Sequence, residues 1–267
     1  WVLPDIPPLT FAGLRDALAF LCLLPFALPR IRQVLRAPRA QRPSWWQLAA
    51  LGLVLYTVTQ GAQFLSLSVL PAVTVSLVLS FSPVAVAWMG LLWLAERPNP
   101  LQWVGLALFV GGALLYLLPL EAEGGTGWGL IVALVGLAAN AGSAVMGRAL
   151  NRNGRIHPLA LTTLSMGIGG LALLGLGLGV QGLPFIPWQG WAVIAWLAVV
   201  NTALAFTLWN HTLRTLSAVE SSVINNTMLV QIAVLAWAFL GESLDARQLA
   251  GLALAVAGTL AVQLRRG

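Results

Sequence analysis

Apolar residues in this chain neither alternate as in a strand nor recur in the narrow stripe of a soluble helix; they run on. Counting stretches long enough to cross a hydrocarbon core of about 30 Å, the sequence predicts nine spans. These are α1 at 8–28, α2 at 45–68, α3 at 71–94, α4 at 100–119, α5 at 127–148, α6 at 158–180, α7 at 188–211, α8 at 216–240 and α9 at 246–264. The polar breaks are short. The longest, between α1 and α2, is basic and carries Arg30, Arg32, Arg36, Arg39 and Arg42. No break can house a soluble domain, so the chemistry is expected within the bilayer or at its two faces.

Arginine placement orients the spans, because short loops rich in basic residues stay cytoplasmic. With the α1–α2 loop inside, alternation also puts Arg97, Arg148, Arg152, Arg155, Arg214, Arg265 and Arg266 inside, twelve of the fourteen arginines in all. Asp5, Glu121, Glu123, Glu242 and Asp245 fall on the opposite face, with Arg247, and Arg15 lies within a span. A missed span would scramble this alternation.

Composition agrees. Of 267 residues, 59% are hydrophobic and 8% charged, against about 25% charged in a soluble domain; mean hydropathy is +0.87. So few charges cannot solvate a soluble surface, which excludes soluble enzymes and nucleic-acid binders. The net charge of +6 comes entirely from arginine over acid, with no lysine. That removes lysine chemistry, including a phosphate-loop lysine. A single cysteine, Cys22, excludes a disulfide framework, and neither a metal site nor a cofactor is expected.

The chain also repeats itself. AERPNPLQWVGLALFVGG around Glu96 returns as GESLDARQLAGLALAVAG around Glu242, matching Gln102 with Gln248, Gly105 with Gly251 and Gly112 with Gly258. The same offset places Leu70, Ala72, Val73 and Ser76 on Leu216, Ala218, Val219 and Ser222, so α3 and α4 correspond to α8 and α9. IPPLTFAGL in α1 matches IHPLALTTL in α6, which leaves α2 to pair with α7 and α5 without a partner. A five-helix unit is odd-numbered, so its two copies are expected to lie inverted in the membrane, as in secondary transporters. The repeats are read as 1–122 and 123–267, the first lacking its opening helix; a cleaved signal peptide is the rival account of that gap.

These residues carry a resemblance. The PPLTFAGLR opening of α1, the glutamate–x8–glycine pattern at Glu96/Gly105 and Glu242/Gly251, and the five-helix duplication resemble the EamA family of the drug/metabolite transporter superfamily, and within it bacterial amino-acid exporters of the YddG type. The resemblance implies a ten-helix basket with both termini cytoplasmic, a central cavity between two inverted halves, α4 and α9 as peripheral braces, and residence in a bacterial inner membrane. It also implies export.

A charged or amide group inside a span costs about 2.5–3.5 kcal/mol by insertion scales, so each asks for a reason. Tyr56, Gln60 and Gln63 on α2, spaced by four and three, form one stripe with Phe64 beside it. Its readings are a cavity wall for a polar solute with an apolar part, or interhelical hydrogen bonding. Glu220 shares a face of α8 with Thr227 and Gln231; its carboxylate either binds a proton or a solute ammonium, or snorkels toward Arg214. Ser82 precedes Pro83 in α3, where a kink is expected, and Asn140 of α5 and Asn201 of α7 are further cavity candidates. Arg15 and Asp16 point about 100° apart on α1, so a direct pair is not dictated, and a structural role is assigned to Arg15. His211 and His157 read as interfacial and loop residues.

Three function classes were weighed. A secondary transporter moving small metabolites, amino acids foremost, fits the repeat and the polar stripes, and its partners would be that solute and the lipid bilayer. An intramembrane enzyme lacks HExxH, a Ser–His arrangement or paired aspartates. A channel or facilitator for small amphipathic solutes fits inverted halves less well.

Overall fold

A computed structural model of the chain describes residues 6–38, 43–117, 127–152, 154–228, 230, 231, 234 and 245–263. Among these, α1 runs Pro8–Arg36, α2 Trp45–Leu67, α4 Pro100–Leu117, α5 Gly127–Arg152, α6 Pro158–Gln181 and α7 Trp188–Thr212. Two stretches, Ala72–Leu79 and Ser82–Leu94, make up α3. Helix α8 opens with Ala218–Asn226, and α9 is Ala246–Gln263. There is no strand among the described residues. Helices α1 to α7 are each long and apolar enough to cross a membrane. This is an all-α, multi-pass membrane protein. Most of the second half of the predicted α8 lies outside the described residues, as do Arg39, Arg42, Glu121, Glu123, Glu242, Arg265 and Arg266.

Large apolar side chains face outward along these helices, Trp46 at 85% and Trp188 at 75% exposure. In lipid that exposure is favourable. Trp45, Trp46, Trp128 and Trp188 cluster in the first turns of α2, α5 and α7, where indole rings suit the headgroup level.

Helix α1 continues eight residues past its predicted end. Arg30, Arg32 and Arg36 read as part of the following loop, but Ala27, Ile31 and Val34 share a face that packs into a core with Leu48, Leu51 and Leu161. Burial of that face carries the helix through Pro25 and Pro29. Helix α3 breaks at Ser80 and Phe81, where the Ser80 amide bonds back to Ser76 and Leu77 and Pro83 enters the first turn of the next stretch. The expected kink is therefore an interruption one turn ahead of the proline.

Two helices contain wide π turns in their middles, Leu53–Gln60 in α2 and Leu197–Leu204 in α7. The hydroxyl of Thr59 donates to the carbonyl of Val54 five residues back, at 2.8 Å. Such segments are rare beyond one turn and are frequent at functional sites. Here two of equal length fall on helices that the repeat pairs.

By internal contacts the chain forms two compact units, Trp1–Ser68 with Met146–Thr215 and Val69–Val145 with Leu216–Gly267. Unit one holds α1, α2, α6 and α7; unit two holds α3, α4, most of α5, α8 and α9. In unit one, Gly13 lies against Leu174, Gly170 against Asp16 and Gly167 against Phe20, so α1 and α6 run antiparallel. In the same unit α1 meets the π segment of α7, and α6 meets that of α2. In unit two, Gly105 meets Gly258 and Gly112 meets Gly251, so α4 and α9 also run antiparallel. The glycines remove the side chains that would hold these backbones apart.

Candidate solute-binding site

The polar stripe of α2 lies in unit one, where its members have different surroundings. Tyr56 is fully buried, its Cβ against Gly169 and its ring edge-on to Phe206 at 5.1 Å between centroids. Its hydroxyl has no hydrogen-bond partner among the described residues. Gln60, at the end of the π segment, accepts from Arg15 Nη2 at 3.1 Å through Oε1. One turn on, Phe64 lies under the Arg15 guanidinium, 5.0 Å from its carbon to the ring centroid, and stacks on Phe11 at 5.4 Å. Gln63 is half-buried on the same helix. The stripe thus meets Arg15 of α1. Arg15 also donates Nε and Nη2 to Asp16 Oδ1 at 3.1 and 3.0 Å, with both side chains buried. The long arginine side chain folds back along the helix, which a 100° separation of Cβ directions does not forbid.

Asn201, in the π segment of α7, is exposed, while its neighbour Thr202 is buried with an unpartnered hydroxyl. The sequence marks Asn201 as the cavity candidate and gives Arg15 a structural role, and the direct Arg15–Asp16 pair comes from the structure.

Unit two brings two expected residues together. Asn140 Nδ2 donates to Ser82 Oγ at 3.2 Å, joining α5 to the α3 interruption. Glu220 sits elsewhere in that unit, at the start of α8 rather than along an open face. Its Oε2 accepts the Ser217 amide at 2.8 Å while Ser217 Oγ accepts the Glu220 amide at 3.2 Å, a reciprocal capping box. Glu96 Oε2 takes the neighbouring Ala218 amide at 3.1 Å. Two carboxylates thus meet the positive end of one helix. Gln231 donates to Thr227 at 3.4 Å two turns further on.

A further polar network in unit one was not anticipated. Asn151 donates to Asn210 at 2.8 Å, Asn210 donates to Thr162 at 3.0 Å, and Arg148 caps the last carbonyls of α7 at Leu213 and Arg214. Hydrogen-bonded amides between packed helices serve as ties, although Asn151 Oδ1 has no partner among the described residues. A cavity of about 330 Å³ lined by Ser44, Gln47, Met146, Leu150, Arg155 and Ile156 opens at this arginine-rich end. None of the expected site residues lines it, and it is not taken as the solute site.

The sequence profile of the EamA-like transporter family matches residues 1–118 and 127–264. The chain belongs to the EamA-like transporter family. This EamA protein is similar to the uncharacterized transporter YvbV of Bacillus subtilis (strain 168), with 28% identity over 260 residues, 94% of this chain and 80% of YvbV. It is also similar to the uncharacterized transporter YyaM of the same organism, with 24% identity over 208 residues, 74% of this chain and 66% of YyaM. A solved crystal structure described only as that of a protein matches with a TM-score of 0.78 at 18% identity, over 98% of this chain and 88% of that one. That likeness shows the fold. Family and relatives together point to a membrane transporter.

Proposed function

We propose that this EamA transporter is a secondary transporter that exports small metabolites, amino acids foremost, across a bacterial inner membrane by alternating access of two inverted repeats. The observation that carries the reading is the antiparallel packing of repeat-equivalent helices, α1 on α6 and α4 on α9. Copies related without inversion would point equivalent helices the same way. Inverted halves are the architecture that lets one site face either side in turn.

The solute is held by the polar residues that the spans expose to one another. In unit one these are Tyr56, Gln60, Gln63, Phe64 and Asn201, with Arg15 added. In unit two they are Ser82, Asn140, Glu220, Thr227 and Gln231. Amides beside Phe64 suit a solute with a polar head and an apolar side chain. Both repeats are read as 1–122 and 123–267, and the C-terminus lies in the cytoplasm with most arginines; a C-terminal reporter active only in the periplasm contradicts that orientation.

The test is export. Cells overproducing the protein and fed dipeptides should release one or more amino acids into the medium faster than cells carrying Gln60→Leu at equal membrane abundance. Identical release profiles would contradict the reading.

A further inference from the structure

Helix α1 places a cation and an anion side by side inside a membrane span. Asp16 is fully buried and Arg15 nearly so, at 0% and 7% side-chain exposure. All of the Asp16 hydrogen bonding falls on one oxygen, Oδ1, which takes both Arg15 Nε and Nη2. The other oxygen, Oδ2, is buried with no hydrogen-bond partner among the described residues. The buried Thr202 hydroxyl of the same unit also lacks a partner among the described residues. An uncompensated carboxylate oxygen in such surroundings is costly.

We infer that Arg15 and Asp16 form a proton-exchanged carboxylate site: a proton taken up by Asp16 Oδ2 frees the Arg15 guanidinium to bind the carboxylate of the transported solute. The inference rests on the transporter reading above and names the chemistry of its solute and its coupling ion. At rest the pair is neutral, one positive and one negative charge. A solute carboxylate arriving alone would leave a net negative charge in hydrocarbon, which is expensive. With one proton on Asp16, the O–H bond formed at Oδ2 neutralises that carboxyl, the Arg15 donors pass from Asp16 Oδ1 to the solute carboxylate, and that ion pair is neutral again. The ammonium of an amino-acid solute adds one positive charge to the complex, equal to the proton taken up. The proton comes from water and leaves with the solute, so nothing else is consumed.

Geometry selects a proton over a solute ammonium as the partner of Asp16. Oδ2 is buried without a hydrogen-bond partner among the described residues, with the Asp16 Cβ against Gly170, whereas the Arg15 side chain retains 7% exposure. Gln60 and Phe64 flank the Arg15 guanidinium and remain in place when Asp16 lets go. The titratable groups facing Asp16 are Arg15 from α1 and Tyr56 from α2; the α6 helix Pro158–Gln181 and the α7 stretch 188–204 contribute none.

The experiment uses the purified full chain and two probe series, N-acetyl amino acids, which keep the carboxylate and lose the ammonium, and amino-acid amides, which do the reverse. Titration calorimetry in buffers of different ionisation enthalpy counts protons taken up on binding. The acids are expected to bind with uptake of about one proton each, and about tenfold more tightly per pH unit of acidification. The paired variant Arg15→Gln/Asp16→Asn, neutral at both positions, should lose acid binding. Asp16→Asn alone should bind acids without proton uptake. Acid binding without proton uptake by the wild type, preference for the amides, or no acid binding at all overturns the inference. Counterflow of free amino acids by the same preparation separates the failures: counterflow without acid binding removes this inference and leaves the transporter reading standing.

Discussion

Gly112 of α4 and Gly251 of α9 meet backbone to backbone. A Cβ built on Gly112 would lie 2.5 Å from the Gly251 carbonyl oxygen, and one on Gly251 would lie 2.7 Å from that of Gly112. Neither position has a flexible side chain that could move aside. Gly112→Leu should therefore destabilise the protein by about 1–3 kcal/mol, the usual cost of overpacking, read as a lowered melting temperature in detergent. Gly111 has open space around it, and Gly111→Ala should be neutral or slightly stabilising. Equal melting of Gly112→Leu and wild type would mean that α4 and α9 are not packed this closely.

The buried Arg15–Asp16 pair makes single and double substitutions unequal. Arg15→Gln strands a carboxylate and Asp16→Asn strands a guanidinium, each costing about 3–5 kcal/mol when the partner stays buried. The double variant strands neither and should cost clearly less than the sum. Additive losses in a thermal double-mutant cycle would show that the two side chains act independently.

Ala95 ends α3 in the left-handed region, at φ 55° and ψ 22°. Its conformation lets the Glu96 amide bond back to Gly90 at 3.2 Å and delivers the Glu96 carboxylate to the start of α8. A residue with a Cβ pays roughly 1–2 kcal/mol there. Ala95→Gly should raise stability by about 1 kcal/mol, and Ala95→Val should lower it. A destabilised Ala95→Gly would place the chain elsewhere in φ.

His157 caps α6 with a neutral ring. Its Nδ1 accepts the Leu159 amide at 3.2 Å, which a protonated Nδ1 cannot do. Desolvation first, then the positive charges of Arg30, Arg214 and His211, hold the imidazole below its ordinary value of 6.5. The unfolded chain therefore binds the proton more readily. The stability this contributes is fully present above pH 6.5 and is lost as pH falls through the folded value. Melting of the wild type should drop on acidification more than that of His157→Asn, whose amide caps without titrating. Parallel curves would contradict the cap.

The spans were legible because bilayer thickness imposes long apolar runs, and the glycine matches because two packed backbones need a side chain missing from each. The sequence pairs Gly105 with Gly251, yet the contact is Gly105 with Gly258, since a repeat tells which residues are equivalent and not which ones touch. For the same reason each compact unit draws helices from both halves of the chain. The π segments left no mark in LVLYTVTQ or LAVVNTAL, apolar strings that any helical winding would accommodate. In the site, the convergence of Gln60 and Phe64 on Arg15 was hidden, because it depends on where α1 lies against α2. Glu220 reads in sequence as a cavity-wall or a snorkelling carboxylate, and its part in a capping box goes unread although SAVE at 217–220 has the spacing for one.

The central claim, a transporter that alternates rather than an open pore, is tested most directly by counterflow. Proteoliposomes holding the full chain and loaded with an unlabelled amino acid are diluted into a trace of the labelled one, across the proteinogenic set. An alternating carrier gives a transient accumulation of label above its equilibrium level for at least one amino acid, absent from protein-free liposomes. Label that merely equilibrates, with no overshoot, would identify a channel and contradict the account; no uptake beyond protein-free liposomes for any amino acid would contradict the proposed solute class.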